Sequence, residues 1–457
     1  MTTFTAGAKI HMIGIAGSGM SGIAEILAAR GFIVSGSDEK ESATLRSLAS
    51  QGITTYVGHK GEQIGDARYV VISSAIREEN PELVAAKEQG IEIVRRASAL
   101  ARLLPGKFSI AVAGTHGKTT TSGMFAQMLD ALGRDPSFVI GSKISALGVS
   151  AREGRGDFFV VEADESDGSF LDYKPDGAII TNVELDHVDN FSSIEEIVRL
   201  FERFIATTKD FVVICGDDLR ASALPVPSGI RRVTYGTSAT CDLVISEMKE
   251  LSEGVSATLQ WQGGSIVQLR LFVHGRHNVL NAAAVVASAV AMGIDLAAAA
   301  RAISAFRGTS RRFEVKGICD GITVVDDYGH HPTEIEATIS AARSVLSAAG
   351  AGRLCVIFQP HRFSRTAAFA ASFARALAGA DRSVVMDIYS AGEDPLPGVS
   401  GATIAEESRD SIYLSDRDRV IDEVVQWAEP GDLILTLGAG DVTEIGPKIL
   451  AALKSRN

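Results

Sequence analysis

At 457 residues, with 46% hydrophobic and 22% charged side chains, the chain has a globular composition and is too long for one ordinary hydrophobic core. Its 56 acidic and 44 basic residues give a formal net charge of −12, which argues against non-specific binding to nucleic acid. A signal-like N-terminus, a membrane-length apolar segment and paired cysteines are all missing, so we expect a cytoplasmic protein with reduced thiols, no zinc site and no membrane partner.

The first predicted strand, at 9–13, leads into a glycine-rich segment at 14–22 and a helix at 23–30. Three glycines spaced as G-x-G-x-x-G, followed about twenty residues later by an acidic residue, are typical of a loop that binds a nucleoside diphosphate. NAD, FAD or a nucleotide sugar would satisfy the same contacts. The residues predicted to bind this ligand are Gly17, Gly19, Met20, Gly22, Ser37, Asp38, Ser73 and Ser74.

A second glycine loop follows the predicted buried strand at 108–113 and precedes a predicted helix. Backbone N–H groups and a helix N-terminus would bind phosphates there, Lys118 would reach the terminal phosphate, and the Thr119 hydroxyl suits a magnesium ligand. The loop is shorter than usual, and a polar turn before a helix is the alternative. The predicted phosphate-binding residues are Gly114, Thr115, His116, Gly117, Lys118, Thr119 and Thr120.

Polar residues also follow the next two predicted strands, at 157–161 and 177–181. Glu162 comes directly after the first and is our candidate Mg²⁺ ligand, with a solvated acidic loop as the alternative. His187 is either a second metal ligand or a polar loop residue. Farther along, Asn278 and Asn281 share one face of a predicted helix and suit adenine recognition, although capping of that helix by Asn278 is equally compatible with the spacing.

Arginines and histidines mark the last third of the chain. Arg311 and Arg312 would form either a basic surface or a clamp on the terminal phosphate. Asp327, after a strand, is a predicted nucleotide contact. The residues predicted to line the same cleft are Tyr328, His330, His331, His361, Arg362 and Arg365. The last two arginines are three apart in a predicted helical turn, so both would face one small carboxylate, unless they belong to a structural salt-bridge cluster.

Several long motifs occur in one order: GTHGKTTT at 114–121, EADESD at 162–167, Asp186-His187, and HNVLN at 277–281. With the segments at 14–25, 325–335 and 358–366, they give a chain that resembles the ATP-dependent Mur ligases of peptidoglycan precursor synthesis over essentially its whole length. The resemblance implies an α/β fold with three domains. These are an N-terminal Rossmann-like domain that binds a UDP-sugar (1–107), a central P-loop-type ATPase domain with a mostly parallel sheet (108–310), and a C-terminal Rossmann-like domain that binds an amino acid (311–457).

The activity that the resemblance implies is ATP-dependent ligation of L-alanine to the lactyl carboxylate of UDP-N-acetylmuramate through an acyl phosphate, with Mg²⁺ or Mn²⁺ as the cofactor. It implies small-molecule partners only, and a monomer or homodimer. By similarity, Lys118, Glu162, His187 and Arg312 would be catalytic. Thr119, Glu162 and His187 would hold the metal, and Arg312 the γ-phosphate. Tyr328, His330, His361, Arg362 and Arg365 would bind the amino acid. Some relatives carry a carbamylated lysine in the helix after His187, and the segment 193–205 contains no lysine.

Three alternative functions remain. A sister ligase that attaches a recycled tripeptide to the same sugar nucleotide has similar motifs. A nicotinamide-dependent oxidoreductase would use the first glycine loop but leaves the second one unexplained. A regulatory protein would bind both nucleotides without catalysis.

Overall fold

The computed structural model describes residues 3–17, 19–73, 75–188, 190–350, 352–408 and 411–456. Within these residues the backbone forms three sheets in succession along the chain, and we call the surrounding folded parts the N-terminal, middle and C-terminal domains. The predicted three-domain α/β architecture is confirmed. The predicted boundaries at 107/108 and 310/311 stay a prediction.

The N-terminal domain has a parallel sheet with the strand order β3-β2-β1-β4-β5. Its strands are β1 (Lys9–Ile13), β2 (Ile33–Asp38), β3 (Thr54–Val57), β4 (Tyr69–Ile72) and β5 (Glu92–Arg95), and its helices are α1 (Met20–Ala29), α2 (Ala43–Ser50), α3 (Pro81–Glu88) and α4 (Arg96–Ala101). The strand order changes direction beside β1, and the glycine-rich segment follows β1 at this edge, where α/β sheets bind their ligands.

The middle domain has the strand order β15-β14-β13-β12-β11-β10-β6-β9-β7-β8, parallel from β13 to β7 and antiparallel at both ends. Its strands are β6 (Phe108–Ala113), β7 (Ser137–Val139), β8 (Ala151–Arg152), β9 (Phe158–Glu162), β10 (Gly177–Ile180), β11 (Phe211–Cys215), β12 (Arg231–Gly236), β13 (Leu243–Leu251), β14 (Gly254–Trp261) and β15 (Ile266–Leu271). Its helices are α5 (Lys118–Ala131), α6 (Ile194–Thr207), α7 (Leu219–Ala223), α8 (Arg276–Ala291) and α9 (Leu296–Ile303).

The C-terminal domain has the strand order β16-β17-β21-β18-β19-β20, which is parallel except for the antiparallel edge strand β16. Its strands are β16 (Glu314–Cys319), β17 (Ile322–Asp327), β18 (Leu354–Phe358), β19 (Arg382–Val385), β20 (Ser411–Tyr413) and β21 (Leu433–Leu437). Its helices are α10 (Pro332–Ala349), α11 (Phe363–Leu377), α12 (Gly401–Glu406), α13 (Arg417–Trp427) and α14 (Ile445–Ser455).

Side-chain pattern accounts for the way in which the helices pack. Helix α8 is rich in alanine and valine and is buried almost all round, which its small side chains allow. Helix α6 instead buries one stripe and exposes its charged face. Among the described residues, no helix combines the length and apolarity that crossing a bilayer requires. All four cysteines are buried and unpaired, so the prediction of free thiols is confirmed.

The N-terminal and middle domains approach each other closely where α1 meets β8. A Cβ atom built on Gly22 would lie only 2.8 Å from the Cβ of Ala151, so glycine is required there for steric reasons. The guanidinium of Arg30 lies 3.0 Å from Glu153 beside this contact. These contacts bring the glycine loop after β1 toward the phosphate loop after β6.

Candidate active site

The phosphate loop connects β6 directly to α5, as predicted from the sequence. Gly114 and Gly117 both have positive φ, at 131° and 83°. A Cβ atom on Gly114 would lie 2.0 Å from the Thr181 hydroxyl oxygen, and one on Gly117 would lie 2.7 Å from the Asn281 side-chain oxygen. Backbone conformation and close packing therefore both exclude larger residues at these two positions.

The ammonium group of Lys118 curls back over the loop. It donates to the carbonyl oxygens of Gly114 and Thr115 at 2.7 and 3.1 Å, and lies 2.9 Å from a carboxylate oxygen of Glu165. Burial opposes its charge, but Glu165 and then Asp164 raise the pKa of Lys118 above its usual value. The lysine is therefore a permanent cation at the loop.

Thr119 and Glu162 form the second polar pair at the loop. The Thr119 hydroxyl lies 2.9 and 3.1 Å from the two carboxylate oxygens of Glu162, and the backbone N–H of Gly141 donates to one of them at 2.8 Å. Glu162 is the last residue of β9, whereas we expected it to follow the strand. A hydroxyl and a carboxylate at hydrogen-bond distance are oxygen ligands of the kind that Mg²⁺ prefers, so this pair fits the predicted cation.

His187 lies beside Glu165 and Asp186, and its backbone is left-handed, with φ of 52°. Its Nε2 is 3.6 Å from Glu165 and 3.8 Å from Asp186. Burial opposes protonation, but the two carboxylates raise the pKa of the imidazole. The metal-ligand role predicted for His187 stays a prediction.

One cavity of about 690 Å³ collects residues from all three domains. Lys118, Glu162, His187 and Arg312, the four residues predicted to be catalytic, all line it. So do Thr115, Gly117, Thr119, Gly19, Tyr328, His330, His361, Arg362 and Arg365. We call this space the larger cavity.

Arg312 lies on the chain segment that joins the middle and C-terminal domains. Its neighbours Arg311 and Phe313 both have left-handed φ, 60° and 50°, so the backbone turns sharply on either side of it. The Arg312 guanidinium lies 3.7 Å from Glu334 and 5.2 Å from the ring centre of Tyr328. Burial opposes the charge, but Glu334 raises the pKa of Arg312 further.

His116 of the phosphate loop lies between two carboxylates from different domains. Its Nε2 is 3.1 Å from Glu184, and its Nδ1 is 3.4 Å from Glu334. Burial opposes protonation, but hydrogen bonds to Glu184 and Glu334 raise the pKa of His116 to about 9. The hydrogen bond from His116 likewise lowers the pKa of Glu184 to about 2. This imidazolium therefore links the loop to α10 of the C-terminal domain.

A smaller cavity, of about 190 Å³, lies behind the phosphate loop and shares Gly117, Arg312 and Glu334 with the larger one. His116, Thr120, Asn278, Asn281 and Asp327 also line it. Asn278 is inside α8, whose N-cap is Gly275, so capping by Asn278 is wrong. Its amide donates to the carbonyl of His274 at 2.7 Å, and its side-chain oxygen accepts from Asn281 at 3.2 Å.

Asp327 ends β17 and is nearly buried. Its two carboxylate oxygens accept from the backbone N–H groups of Phe313 and Gly329, at 2.8 and 2.7 Å. Burial raises its pKa, despite the nearby Arg312. Asp327 thus fixes the backbone next to Arg312 and also lines the smaller cavity.

The residues predicted for the amino acid line the larger cavity, but their arrangement differs from the expectation. Arg362 precedes α11 with φ of 68°, so it does not share a helical turn with Arg365. The Arg365 guanidinium donates to Asp186 and lies 3.2 Å from Nδ1 of His361. Burial, followed by nearby cations, lowers the pKa of His330 to about 4 and that of His361 to about 3. Both imidazoles are therefore neutral at pH 7.

Among the described residues predicted for the diphosphate, only Gly19 lines the larger cavity. Asp38 accepts the backbone N–H of Ala16 at 3.0 Å and so fixes the glycine loop. Ser37 is fully buried and donates to Glu82 at 2.5 Å. Gly22 packs against the middle domain. Gly17 is exposed and Met20 is buried. Ser73 lies beside the glycine loop, since a Cβ atom built on Gly14 would be 3.6 Å from its hydroxyl oxygen. Ser74 lies outside the described residues.

Four residues at this site were not predicted from the sequence: Glu165, Glu184, Glu334 and Arg96. Glu165 and Glu184 belong to polar segments after strands. Glu334 has a helix-start signal, because it is the third residue after the N-cap His331. These signals mark a polar or capping residue and do not identify its partner in another domain. Arg96, at the start of α4, has no sequence signal of its own.

Three family models match the chain. They are described as Mur ligase family, catalytic domain (residues 9–107), Mur ligase middle domain (112–289) and Mur ligase, glutamate ligase domain (311–440). A UDP-N-acetylmuramate–L-alanine ligase from Thermobifida fusca is 47% identical over 455 residues, which cover 97% of this chain and 96% of that protein. One of the same name from Carboxydothermus hydrogenoformans is 43% identical over 448 residues, 96% of each chain.

Two solved structures extend the comparison. The crystal structure of a UDP-N-acetylmuramate-alanine ligase from Thermotoga maritima superposes with a TM-score of 0.83 at 30% identity, covering 98% of this chain and 100% of that one. A murein peptide ligase from Psychrobacter arcticus gives a TM-score of 0.73 at 25% identity, covering 98% and 99%.

Proposed function

Because this chain belongs to the Mur ligase family, we propose that it is an ATP-dependent acid–amino-acid ligase that joins L-alanine to the lactyl carboxylate of UDP-N-acetylmuramate in peptidoglycan synthesis. The carboxylate attacks the γ-phosphate of ATP, ADP leaves, and an acyl phosphate forms. The amine of L-alanine then attacks the acyl carbon, and inorganic phosphate leaves with formation of the amide.

The observation that carries this proposal is the larger cavity. A phosphate loop, an acidic strand end and arginines from a separate domain line one space, together with the glycine loop of the first domain. In such a ligase the carboxylate of the sugar nucleotide, the γ-phosphate of ATP and the amine of the amino acid must meet. A cavity shared by three domains supplies that proximity.

Charge neutralisation is the main task, because a carboxylate and a triphosphate repel each other. Lys118 and Arg312 are the proposed cations on the transferred phosphate, since both line the cavity and both are held charged by carboxylates. Thr119 and Glu162 would hold Mg²⁺, with His187 as a further candidate ligand. The metal would neutralise phosphate charge and orient the γ-phosphate. Helix α6 contains no lysine, so the proposal uses none there.

The adenine of ATP is assigned to the smaller cavity. Asn278 and Asn281 offer amide donors and acceptors along its wall, and Thr120 and Asp327 line it too. Since Gly117 and Arg312 border both cavities, a nucleotide in the smaller one would extend its phosphates into the larger one.

L-Alanine is assigned to the part of the larger cavity lined by Tyr328, His330, His361, Arg362 and Arg365. The arginines would attract its carboxylate. Neutral His330 and His361 can accept hydrogen bonds from its amino group, because burial and nearby cations keep their pKa values at about 4 and 3. The glycine loop, with Gly19, Asp38 and Ser73, is assigned to the UDP moiety.

Phosphate release from ATP tests this proposal, measured with UDP-N-acetylmuramate and a panel of free amino acids and the corresponding tripeptide. We expect release with L-alanine and no release without the sugar nucleotide. Release with the tripeptide alone would favour the murein peptide ligase activity. Tight NAD binding without ATP turnover would favour an oxidoreductase. A cytoplasmic location, where ATP is available, and a monomer or homodimer complete the proposal.

A further inference from the structure

Arg96 is a cation of the N-terminal domain that the proposed chemistry does not yet use. It begins α4 directly after β5, and its guanidinium lies against Gly19 of the glycine loop. A Cβ atom built on Gly19 would lie 3.2 Å from the Nη1 atom of Arg96. The absence of a side chain at Gly19 therefore leaves room for this guanidinium. Glycine also tolerates the positive φ of 82° at this position.

Arg96 forms a long ion pair with Asp164. Its Nη2 atom lies 3.5 Å from a carboxylate oxygen of Asp164, at the limit of a hydrogen bond. The Arg96 side chain is 25% exposed and that of Asp164 is 36% exposed. Both residues line the larger cavity, so the guanidinium faces space that a ligand can occupy.

Arg96 brings a positive charge from the N-terminal domain to the larger cavity. Among the described residues of the N-terminal domain, Gly19, Arg96 and Leu100 line the larger cavity, and Arg96 is the charged one. A diphosphate beside Gly19 would lie within reach of the planar Arg96 guanidinium, because glycine has no side chain to separate them. That guanidinium can donate to two phosphate oxygens at once.

We propose that Arg96 binds the diphosphate of UDP-N-acetylmuramate beside Gly19 of the glycine loop. This inference rests on the proposed function and adds a specificity residue to it. The lactyl carboxylate is a less suitable partner, because it must reach the γ-phosphate beside Lys118 and Arg312, whereas Arg96 lies against Gly19.

Affinity measurements with three ligands test the inference. We would measure the dissociation constants of UDP, UDP-N-acetylglucosamine and UDP-N-acetylmuramate by calorimetry for the full-length wild type and for Arg96→Gln. All three ligands carry the diphosphate, and only the last carries the lactyl carboxylate. We expect Arg96→Gln to weaken all three by a similar factor, about ten- to a hundredfold, with ATP affinity unchanged.

Two further variants separate ligand binding from structure. Arg95→Gln is the matched control, because Arg95 is the exposed neighbour, and we expect wild-type affinities. Asp164→Asn removes the protein partner of Arg96 and keeps the guanidinium, so it should leave UDP affinity unchanged or tighter. If Arg96→Gln melts early, Arg96→Lys, which keeps the charge without the planar donors, should show the same pattern with a smaller loss.

Undiminished affinity for UDP in Arg96→Gln would overturn the inference. An equal loss in Asp164→Asn would do so too, because it would indicate a role in holding the domains together. A loss confined to UDP-N-acetylmuramate would also overturn it, because Arg96 would then bind the carboxylate. Failure of the wild type to bind UDP-N-acetylmuramate would instead refute the proposed function itself.

Discussion

Arg365 of the C-terminal domain donates two hydrogen bonds to a single carboxylate oxygen of Asp186 in the middle domain, at 3.1 Å from Nε and 2.7 Å from Nη2. Each side chain is only 6% exposed. Burial opposes ionisation of Asp186, but Arg365 and then His187 lower its pKa well below the usual range. A buried ion pair therefore connects the two domains next to His187.

We predict that Arg365→Met destabilises the protein, because it leaves the Asp186 charge buried without its partner. The expected loss is about 3–5 kcal/mol of unfolding free energy, measured by urea denaturation. The double variant Arg365→Met with Asp186→Asn should recover much of it, since no unpaired charge remains. Additive losses in the double variant would show that the two side chains are not coupled.

Lys118→Ala should abolish ligation while UDP-N-acetylmuramate still binds. The lysine contacts the phosphate loop and Glu165, so its loss removes a cation from the transferred phosphate but leaves the first domain intact. We expect kcat to fall at least about a hundredfold, with the dissociation constant of the sugar nucleotide nearly unchanged. Lys9→Ala removes an exposed lysine paired with Asp66 and is the control. Near-native turnover in Lys118→Ala would refute its role.

The paired Thr119 and Glu162 predict a specific change in metal requirement. Thr119→Ala removes the hydroxyl, and we expect the Mg²⁺ concentration for half-maximal activity to rise about tenfold or more. Thr119→Ser keeps the hydroxyl and should behave like the wild type. The affinity for Mn²⁺, measured by electron paramagnetic resonance without turnover, should likewise be lower in Thr119→Ala than in the wild type and Thr119→Ser. Equal metal affinity in all three proteins would exclude Thr119 as a ligand.

His116 makes stability depend on pH on the alkaline side. Its pKa is raised from 6.5 to about 9 in the folded protein, so its stabilising contribution is complete below pH 6.5 and is lost as the pH rises through about 9. The charged or titratable groups around it are Glu184, Glu334, His331 and, through Glu334, Arg312.

Between pH 6.5 and 9, we expect the unfolding free energy of the wild type to fall by about 3 kcal/mol more than that of His116→Asn. Urea denaturation at several pH values measures this difference in slope. The variant will be less stable at neutral pH, because two carboxylates lose their cation, and the slope is therefore the informative quantity. Parallel pH profiles would mean that His116 is not protonated in the folded state.

Gly22→Ala should disturb the contact between the N-terminal and middle domains, because the added methyl group would lie 2.8 Å from the Cβ of Ala151. We expect a loss of about 1–3 kcal/mol in thermal or urea unfolding. Ala151→Gly removes the opposing methyl group, so the double variant should regain stability relative to Gly22→Ala. No recovery would indicate that the glycine is needed for a reason other than space.

The parts of the site that the sequence predicted are those set by local spacing. Strand β6, the loop after it and α5 follow from a buried apolar run, two glycines and a helical pattern within 24 residues. The pair Asn80-Pro81 is likewise a local helix-start signal, and the Asn80 side chain caps α3. Such features depend on neighbours in the chain, so composition and periodicity are sufficient to predict them.

The partners across domains could not be predicted in the same way. Glu334 is distant in sequence from His116, and Arg365 from Asp186, and a single sequence does not show which charges meet after folding. His59 follows β3 in a glycine turn, yet its Nδ1 lies 3.0 Å from the hydroxyl of buried Ser37 and 2.8 Å from buried Glu82, and no local pattern indicates these partners. The shared helical turn of Arg362 and Arg365 was wrong because Arg362 adopts a left-handed conformation that no local pattern indicates.

The left-handed turns at Arg311 and Phe313 have a consequence for how the chain tolerates changes in length. Surface connections usually accept inserted residues at little cost, and the exposed turn between β14 and β15 at 262–265 should do so. The connection at 311–313 is both the covalent link between two domains and the support of a side chain that borders both cavities. One residue inserted there would rotate Arg312 away from Glu334. The connection at 311–313 therefore has a fixed length, unlike most connections between domains.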